Sequence, residues 1–177
     1  MRRIVFYRWI PGMVLFLFLA ACSQNAETYD KQGRDHVDAG ENDQAIEAFI
    51  KAIEIDPEFA DAYNNLGNTY RKEGQYDLAS VNLNKAIELD QEHYKAYKNR
   101  GKLLAVQGDH EEALPNFSRA IEIQPDYAQS YFDRALTLTA LENLKAAVRD
   151  LEFFLELSND ADLKSQAQQK RDELKGR

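Results

Sequence analysis

Between Ala60 and Tyr70 the residues Tyr63, Leu66, Gly67 and Tyr70 are spaced i, i+3, i+4 and i+7, which is one face of an α-helix. Beyond Gly74, the residues Ala79, Leu83, Ala86 and Ile87 form a second stripe at helical spacing. The pattern predicts a helix, a tight turn and a second helix. It also returns along the chain at a constant offset of 34. Tyr29, Tyr63, Tyr97 and Tyr131 are in step, as are Gly33, Gly67, Gly101 and Ala135. So are Gly40, Gly74, Gly108 and Glu142, then Ala45, Ala79, Ala113 and Ala147. Phe49, Leu83, Phe117 and Leu151 follow, with Ala52, Ala86, Ala120 and Phe154, and finally Pro57, Gln91, Pro125 and Asn159. A unit of this length cannot bury its own apolar face, so neighbours must stack into a continuous core. The expected architecture is an all-α solenoid of four helix-turn-helix units over 26–59, 60–93, 94–127 and 128–161.

Position by position the unit has physical sense. Glycine or alanine on the first stripe removes a side chain where two helices cross closely. The glycine at 40, 74 and 108 falls just past a helix end, where a left-handed backbone is cheap only without a Cβ. Pro57 and Pro125 are placed to end the second helix of their units.

These residues closely resemble the tetratricopeptide repeat family, whose motif runs W/L/Y, L, G, Y, then A, F/L, A, P. The resemblance covers 26–161 and implies an α-α superhelix. The departures are His36 in the first helix, where it is expected to pack in the core, Gln91 for proline, Glu142 for glycine and Phe154 for a small residue. Terminal repeats are atypical because one side has no partner. A bulky Phe154 suits a last unit closed by something other than a repeat. The segment 162–177, with its narrow stripe Leu163, Ala167 and Leu174, is expected to be a solvating capping helix.

The first residues have a different composition. Arg2, Arg3 and Arg8 precede an apolar run from Met13 to Ala21, and the stretch ends Leu19-Ala20-Ala21-Cys22. This is the layout of a secretory signal peptide over 1–21, its apolar run short of the roughly 20 residues that span a bilayer. Leu-Ala-Ala-Cys resembles the lipobox of bacterial lipoproteins, which implies acylation of Cys22, the only cysteine, and a membrane tether at 22–25. Ser23 in place of Asp points to the outer membrane, facing the periplasm.

Loss of 1–21 removes three arginines and no acid, so a formal charge of −8 becomes −11. A surface of that sign disfavours nucleic acid. The acids are expected mostly on outward helix faces. In the resembled family the first helix of each unit lines the concave surface, at positions two, five, six, nine and twelve. In the first unit these positions are Glu27, Asp30, Lys31, Arg34 and Val37. The later units contribute Asn64, Asn65, Asn68, Arg71, Lys95, Lys98, Asn99, Lys102, Phe132, Asp133 and Leu136 as the candidate peptide-binding residues. Lys95, Lys98 and Lys102 share one helical face with no acid between them and would favour an acidic partner. The resemblance further implies that Asn65 and Asn99 offer amides to a bound backbone, and Phe132 with Leu136 would form an apolar pocket. The five-residue carboxylate clamp of some cytosolic relatives is not carried over. Asn65 and Lys95 match it, but Asp30, Arg34 and Asn99 stand where Lys, Asn and Arg are required.

His36, His93 and His110 show no metal-ligand or triad spacing, and no phosphate-binding glycine loop is present. The expectation is a non-enzymatic protein without metal or cofactor: an envelope adaptor that binds a protein or peptide and serves secretin, pilus or other envelope assembly. The alternative is a structural lipoprotein that self-associates into a homo-oligomer with an idle groove.

Overall fold

The computed structural model describes residues 11–176, with side chains from Asn25 onward. The first ten residues of the expected leader, and the Cys22 side chain on which lipidation would occur, therefore lie outside the described residues. The chain runs α1 (Pro11–Ala39), α2 (Asn42–Ile55), α3 (Ala60–Lys72), α4 (Tyr76–Leu89), α5 (Tyr94–Gln107), α6 (His110–Ile123), α7 (Ala128–Ala140), α8 (Leu144–Leu157) and α9 (Ala161–Lys175). Residues 22–25, read from sequence as a tether, continue α1 without a break. Among the described residues there is no strand, and no helix is long and apolar enough to cross a membrane.

Each helix packs on its sequence neighbours, and the first helices α1, α3, α5 and α7 also touch one another in order. That pairing is an α-α superhelix. All four first helices end in the same motif, because a left-handed residue follows each. Its geometry is φ 77° at Gly40, 74° at Gly74, 92° at Gly108 and 58° at Glu142. The next amide then reaches back over the turn, as Gln75 N–H does to the Tyr70 carbonyl at 2.9 Å and Asn143 N–H to the Leu138 carbonyl at 2.9 Å. Close crossing within each hairpin explains the other glycines. A Cβ on Gly33 would sit 2.5 Å from Phe49, and one on Gly101 would sit 2.8 Å from Phe117. Proline is not needed to end a second helix: α4 stops at Leu89 with Gln91 where two other units have proline.

The core is a chain of small clusters rather than one centre. Ala45, Phe49 and Leu66 join the first unit to the second, and Ala79, Leu83 and Leu103 join the second to the third. The largest cluster closes the C-terminal end, where Ala167 and Leu174 of α9 cover Leu151 and Phe154 of α8. Phe154 is 1% exposed, so the departure from a small residue fills space that α9 encloses.

A second seam runs along the second helices. Arg134 of α7 donates Nε and Nη2 to both oxygens of Asp150 at 2.7 and 2.9 Å, and Nη1 to Ser118 Oγ at 3.0 Å. One unit earlier Arg100 reaches Asn116 at 2.6 Å and Asn84 at 3.1 Å. Each arginine thus ties its own second helix to the preceding one. These ion and amide contacts were not legible in the apolar pattern.

Candidate functional site

The clefts on the concave side are lined mainly by α1, α3, α5 and α7, the helices that carry the predicted positions. Their polar side chains are already joined to one another. Asn99 donates from Nδ2 to Asn64 Oδ1 at 2.8 Å, Asn64 to Asn65 Oδ1 at 3.1 Å, and Asn65 to Asp30 Oδ1 at 2.7 Å. Arg34 completes the series by donating Nε to the second oxygen of Asp30 at 3.0 Å. The ladder crosses three units because position five of one first helix abuts position six of the next.

This corrects the expectation that Asn65 and Asn99 present idle amides. Each commits an N–H to the neighbouring helix, and Asn99 is 5% exposed. Asn64 is buried as well, and Asn68 accepts from Arg71 Nε and Nη2 at 3.3 and 3.0 Å. Burial raises the Asp30 pKa, a shift that the Asn65 hydrogen bond and the Arg34 charge partly reverse. The acids are therefore not all outward: Asp30, Asp133 and Asp150 are buried, each against cations or amide donors.

The lysine stripe of α5 also differs from its sequence reading, because an acid from the next unit lies among the cations. Asp133 of α7 places Oδ1 3.8 Å from Lys102 Nζ and accepts from Gln129 Nε2 at 3.2 Å. Lys98 turns to Tyr127, donating to its hydroxyl at 3.3 Å with Nζ 5.3 Å from the ring centre. Burial pushes the Asp133 carboxyl pKa up, while Lys102, Lys98, the Gln129 hydrogen bond and Arg71 pull it down. Burial also lowers the Lys98, Lys102 and Arg71 pKa values, against the opposing attraction of Asp133. Lys102 is thus the cation in ion-pair contact with Asp133, while Lys98 and Arg71 act on it through their charge from farther off, leaving a local surplus of positive charge.

Two clefts result. The N-terminal one, of about 870 Å³, mixes Asp30 and Asp61 with Lys31, Arg34 and Lys95. The C-terminal one, of about 320 Å³, brings Arg71, Lys102 and Asp133 beside Val106, Leu136 and His110. Val106 and Leu136 are 53% and 44% exposed and give this second cleft an apolar side. Phe132 does not join Leu136 in a free pocket: its ring lies 5.0 Å from that of Phe154, centre to centre, and belongs to the C-terminal core. Lys95 lines the other cleft, with Nζ 5.8 Å from the Tyr94 ring centre.

Two histidines behave differently from expectation. His36 is not packed in the core; its side chain is 39% exposed with Nδ1 2.6 Å from Glu41 Oε2. A polar ring at the end of α1 gains more from that carboxylate than from the apolar interior. His93 caps α5 by accepting the Ala96 N–H at Nδ1, and its Nε2 lies 3.2 Å from Asp61 Oδ1. That second approach is close but lacks the alignment of a linear hydrogen bond. Contact with His93 lowers the Asp61 carboxyl pKa, against the effect of its partial burial. Val106, His110 and the pairing of the ladder residues with one another were missed from sequence. A signal existed in the offset of 35 that separates Asp30 from Asn65, Asn64 from Asn99 and Lys98 from Asp133.

Comparison with known proteins bears on the fold. The family described as tetratricopeptide repeat matches residues 60–93 and 94–127, and a TPR repeat family matches 33–72. No curated protein matches the sequence. Among solved structures, one described as a functional characterisation of Pseudomonas aeruginosa pilF is 23% identical, with TM-score 0.80 over 87% of this chain and 69% of that one. A thermophilic TPR protein of Thermus thermophilus is 21% identical, with TM-score 0.73 over 84% of this chain and 80% of its own. The first TPR domain of RPAP3 (Spaghetti), solved bound to the HSP90 peptide SRMEEVD, is 25% identical, with TM-score 0.65 over 68% of this chain and 98% of its own.

Proposed function

Since this chain belongs to the tetratricopeptide repeat family, we propose that it is a lipid-tethered adaptor of the bacterial envelope whose concave face takes an extended, acidic segment of another protein. The observation that carries the reading is a cleft in which Arg71 and Lys102 line the same wall as the lone carboxylate of Asp133, with Lys98 adding its charge, beside the exposed side chains of Val106 and Leu136. A surplus of half-buried cation is stabilised by an incoming anion, and an adjacent apolar wall offers a place for one non-polar side chain. The RPAP3 domain, similar in fold, is a precedent for a repeat of this kind holding a peptide. That peptide, SRMEEVD, carries three acids.

Tethering rests on the charged start, the apolar run and Leu-Ala-Ala-Cys22. Acylation at Cys22 would leave only Ser23 and Gln24 between the lipid and Asn25, which lines the N-terminal cleft, and so would hold the groove near the headgroups. Ser23 after the cysteine favours the outer membrane, and a role in secretin, pilus or other envelope assembly is the biological setting this reading suggests. The chemistry asked of the protein is recognition, with no catalytic step.

The test is co-purification of the full chain from solubilised envelopes, with Lys95, Lys98 and Lys102 each changed to Glu in a second strain. A partner retained by the wild type and lost by the triple variant supports the groove; identical partner profiles sink it. Metabolic labelling with palmitate, compared between wild type and Cys22→Ser, tests the tether independently. Equal incorporation in both chains would remove the anchor from the reading.

A further inference from the structure

Resting on the reading that the concave face takes an acidic segment, we infer that Asp133 is the groove's built-in competitor: a carboxylate of α7 that occupies the Arg71, Lys98 and Lys102 cluster until an incoming segment displaces it. The inference comes from comparing the three buried aspartates. Asp30 has both oxygens bonded, one to Asn65 at 2.7 Å and the other to Arg34 at 3.0 Å. Asp150 likewise has both oxygens held by Arg134, at 2.7 and 2.9 Å. Asp133 is different. Oδ1 has a long bond from Gln129 at 3.2 Å and a looser approach by Lys102 at 3.8 Å, while Oδ2 is buried with no hydrogen-bond partner.

A buried carboxylate placed only to hold helices together is expected to have its lone pairs satisfied. Asp133 is 8% exposed and fails that test. Its position in the repeat makes the point sharper. The same position is Asn65 in the second unit and Asn99 in the third, and both donate across to the preceding first helix. The fourth unit substitutes an anion at this rung and faces it with the cations Lys98 and Lys102 rather than with an acceptor. Contacts of this length can be exchanged for ligand contacts without tearing a well-formed network.

The consequence is selectivity. Arg71, Lys98 and Lys102 against Asp133 leave a surplus of two positive charges, so a segment with two neighbouring carboxylates neutralises the cluster and a single carboxylate does not. The chemical class is therefore an acidic peptide with at least two adjacent acids, next to an apolar residue that can rest on Val106 and Leu136.

The experiment measures fluorescence anisotropy of fluorescein-labelled hexaglutamate, with labelled hexaglutamine as control, on the full chain in detergent at low salt. Asp133→Asn installs the residue type that the second and third units carry at this rung, and Asp133→Ser is the second variant if the first folds poorly. Removing the internal anion is expected to tighten hexaglutamate binding about tenfold, with hexaglutamine unaffected. Adding Arg71→Gln or Lys102→Gln to Asp133→Asn should reverse the gain. Equal or weaker binding by a folded Asp133 variant overturns the inference. So does a gain that survives Arg71→Gln and Lys102→Gln, or an absence of hexaglutamate binding in every chain. The groove reading is judged separately: a native partner still lost on the triple lysine change would leave it standing while the competitor role fell.

Discussion

Asn99 donates to Asn64 at 2.8 Å across the interface between α5 and α3, and both side chains are buried. Neither amide can turn to water when its partner is removed. Asn64→Ala should therefore strand the Asn99 amide and cost about 1–3 kcal/mol, the penalty for a buried unsatisfied donor. Thermal melts followed by circular dichroism, with the Asn64→Ala and Asn99→Ala double variant, give the coupling between the two. Additive single losses would show that the amides do not act as a pair.

The hairpins were readable from sequence because every unit buries the same positions against its own partner helix. Gly33 under Phe49 and Gly101 under Phe117 are relations inside one unit, so they repeat at 34 and stand out. The ladder and the cation cluster are relations between units. Asp133 meets Lys98 and Lys102 only after α7 has stacked on α5, so the lysines look unopposed along their own helix. Phe132 was misplaced for a related reason. What closes the last unit is α9, which covers α8, and Phe132 packs against Phe154 of that helix and so belongs to the core. His36 shows the limit of position alone: a core register did not bury a ring that could reach Glu41.

Arg134 and Asp150 form the best-satisfied ion pair along the second helices, and Arg134 also holds Ser118 of α6. Asp150→Ala leaves the half-buried guanidinium without its carboxylate and should cost about 3 kcal/mol. The Arg100 seam, which lacks a carboxylate and ends on Asn84 and Asn116, should give a smaller loss in Arg100→Gln. Urea melts of the two variants rank them. A larger loss at Arg100 would mean that packing of the arginine stem outweighs its charge.

Glu142 adopts φ 58° where the other three units place glycine, and it pays for a Cβ in the left-handed region. Glu142→Gly should relieve that strain and gain about 0.5–1 kcal/mol after the extra flexibility of the unfolded glycine is subtracted. For a chain of this size that is a rise in melting temperature of about 1–4 °C. No rise, with the turn retained by amide exchange at Asn143, would place the strain elsewhere.

The raised pKa of Asp133 fixes the sign of a pH effect. Its folded carboxyl binds a proton more readily than the unfolded one, with a reference value of 3.8, so its contribution is fully present below that value and is lost as pH rises through the folded one. The charged groups around it are Arg71 from α3 and Lys98 and Lys102 from α5, with His110 of α6 lining the same cleft and Tyr127 preceding α7. Asp133→Asn removes the acid and keeps the others. The variant should therefore gain in melting temperature relative to wild type as pH is raised from about 3 to 7. Asp61 has the opposite sign, because contact with His93 lowers its pKa and its stabilisation is lost as acid protonates it. Asp61 is present in both chains, so the difference between them isolates Asp133. A gap that stays constant across this range, or narrows toward neutral pH, would show that the three cations outweigh burial and that the Asp133 carboxylate is stabilising where it stands.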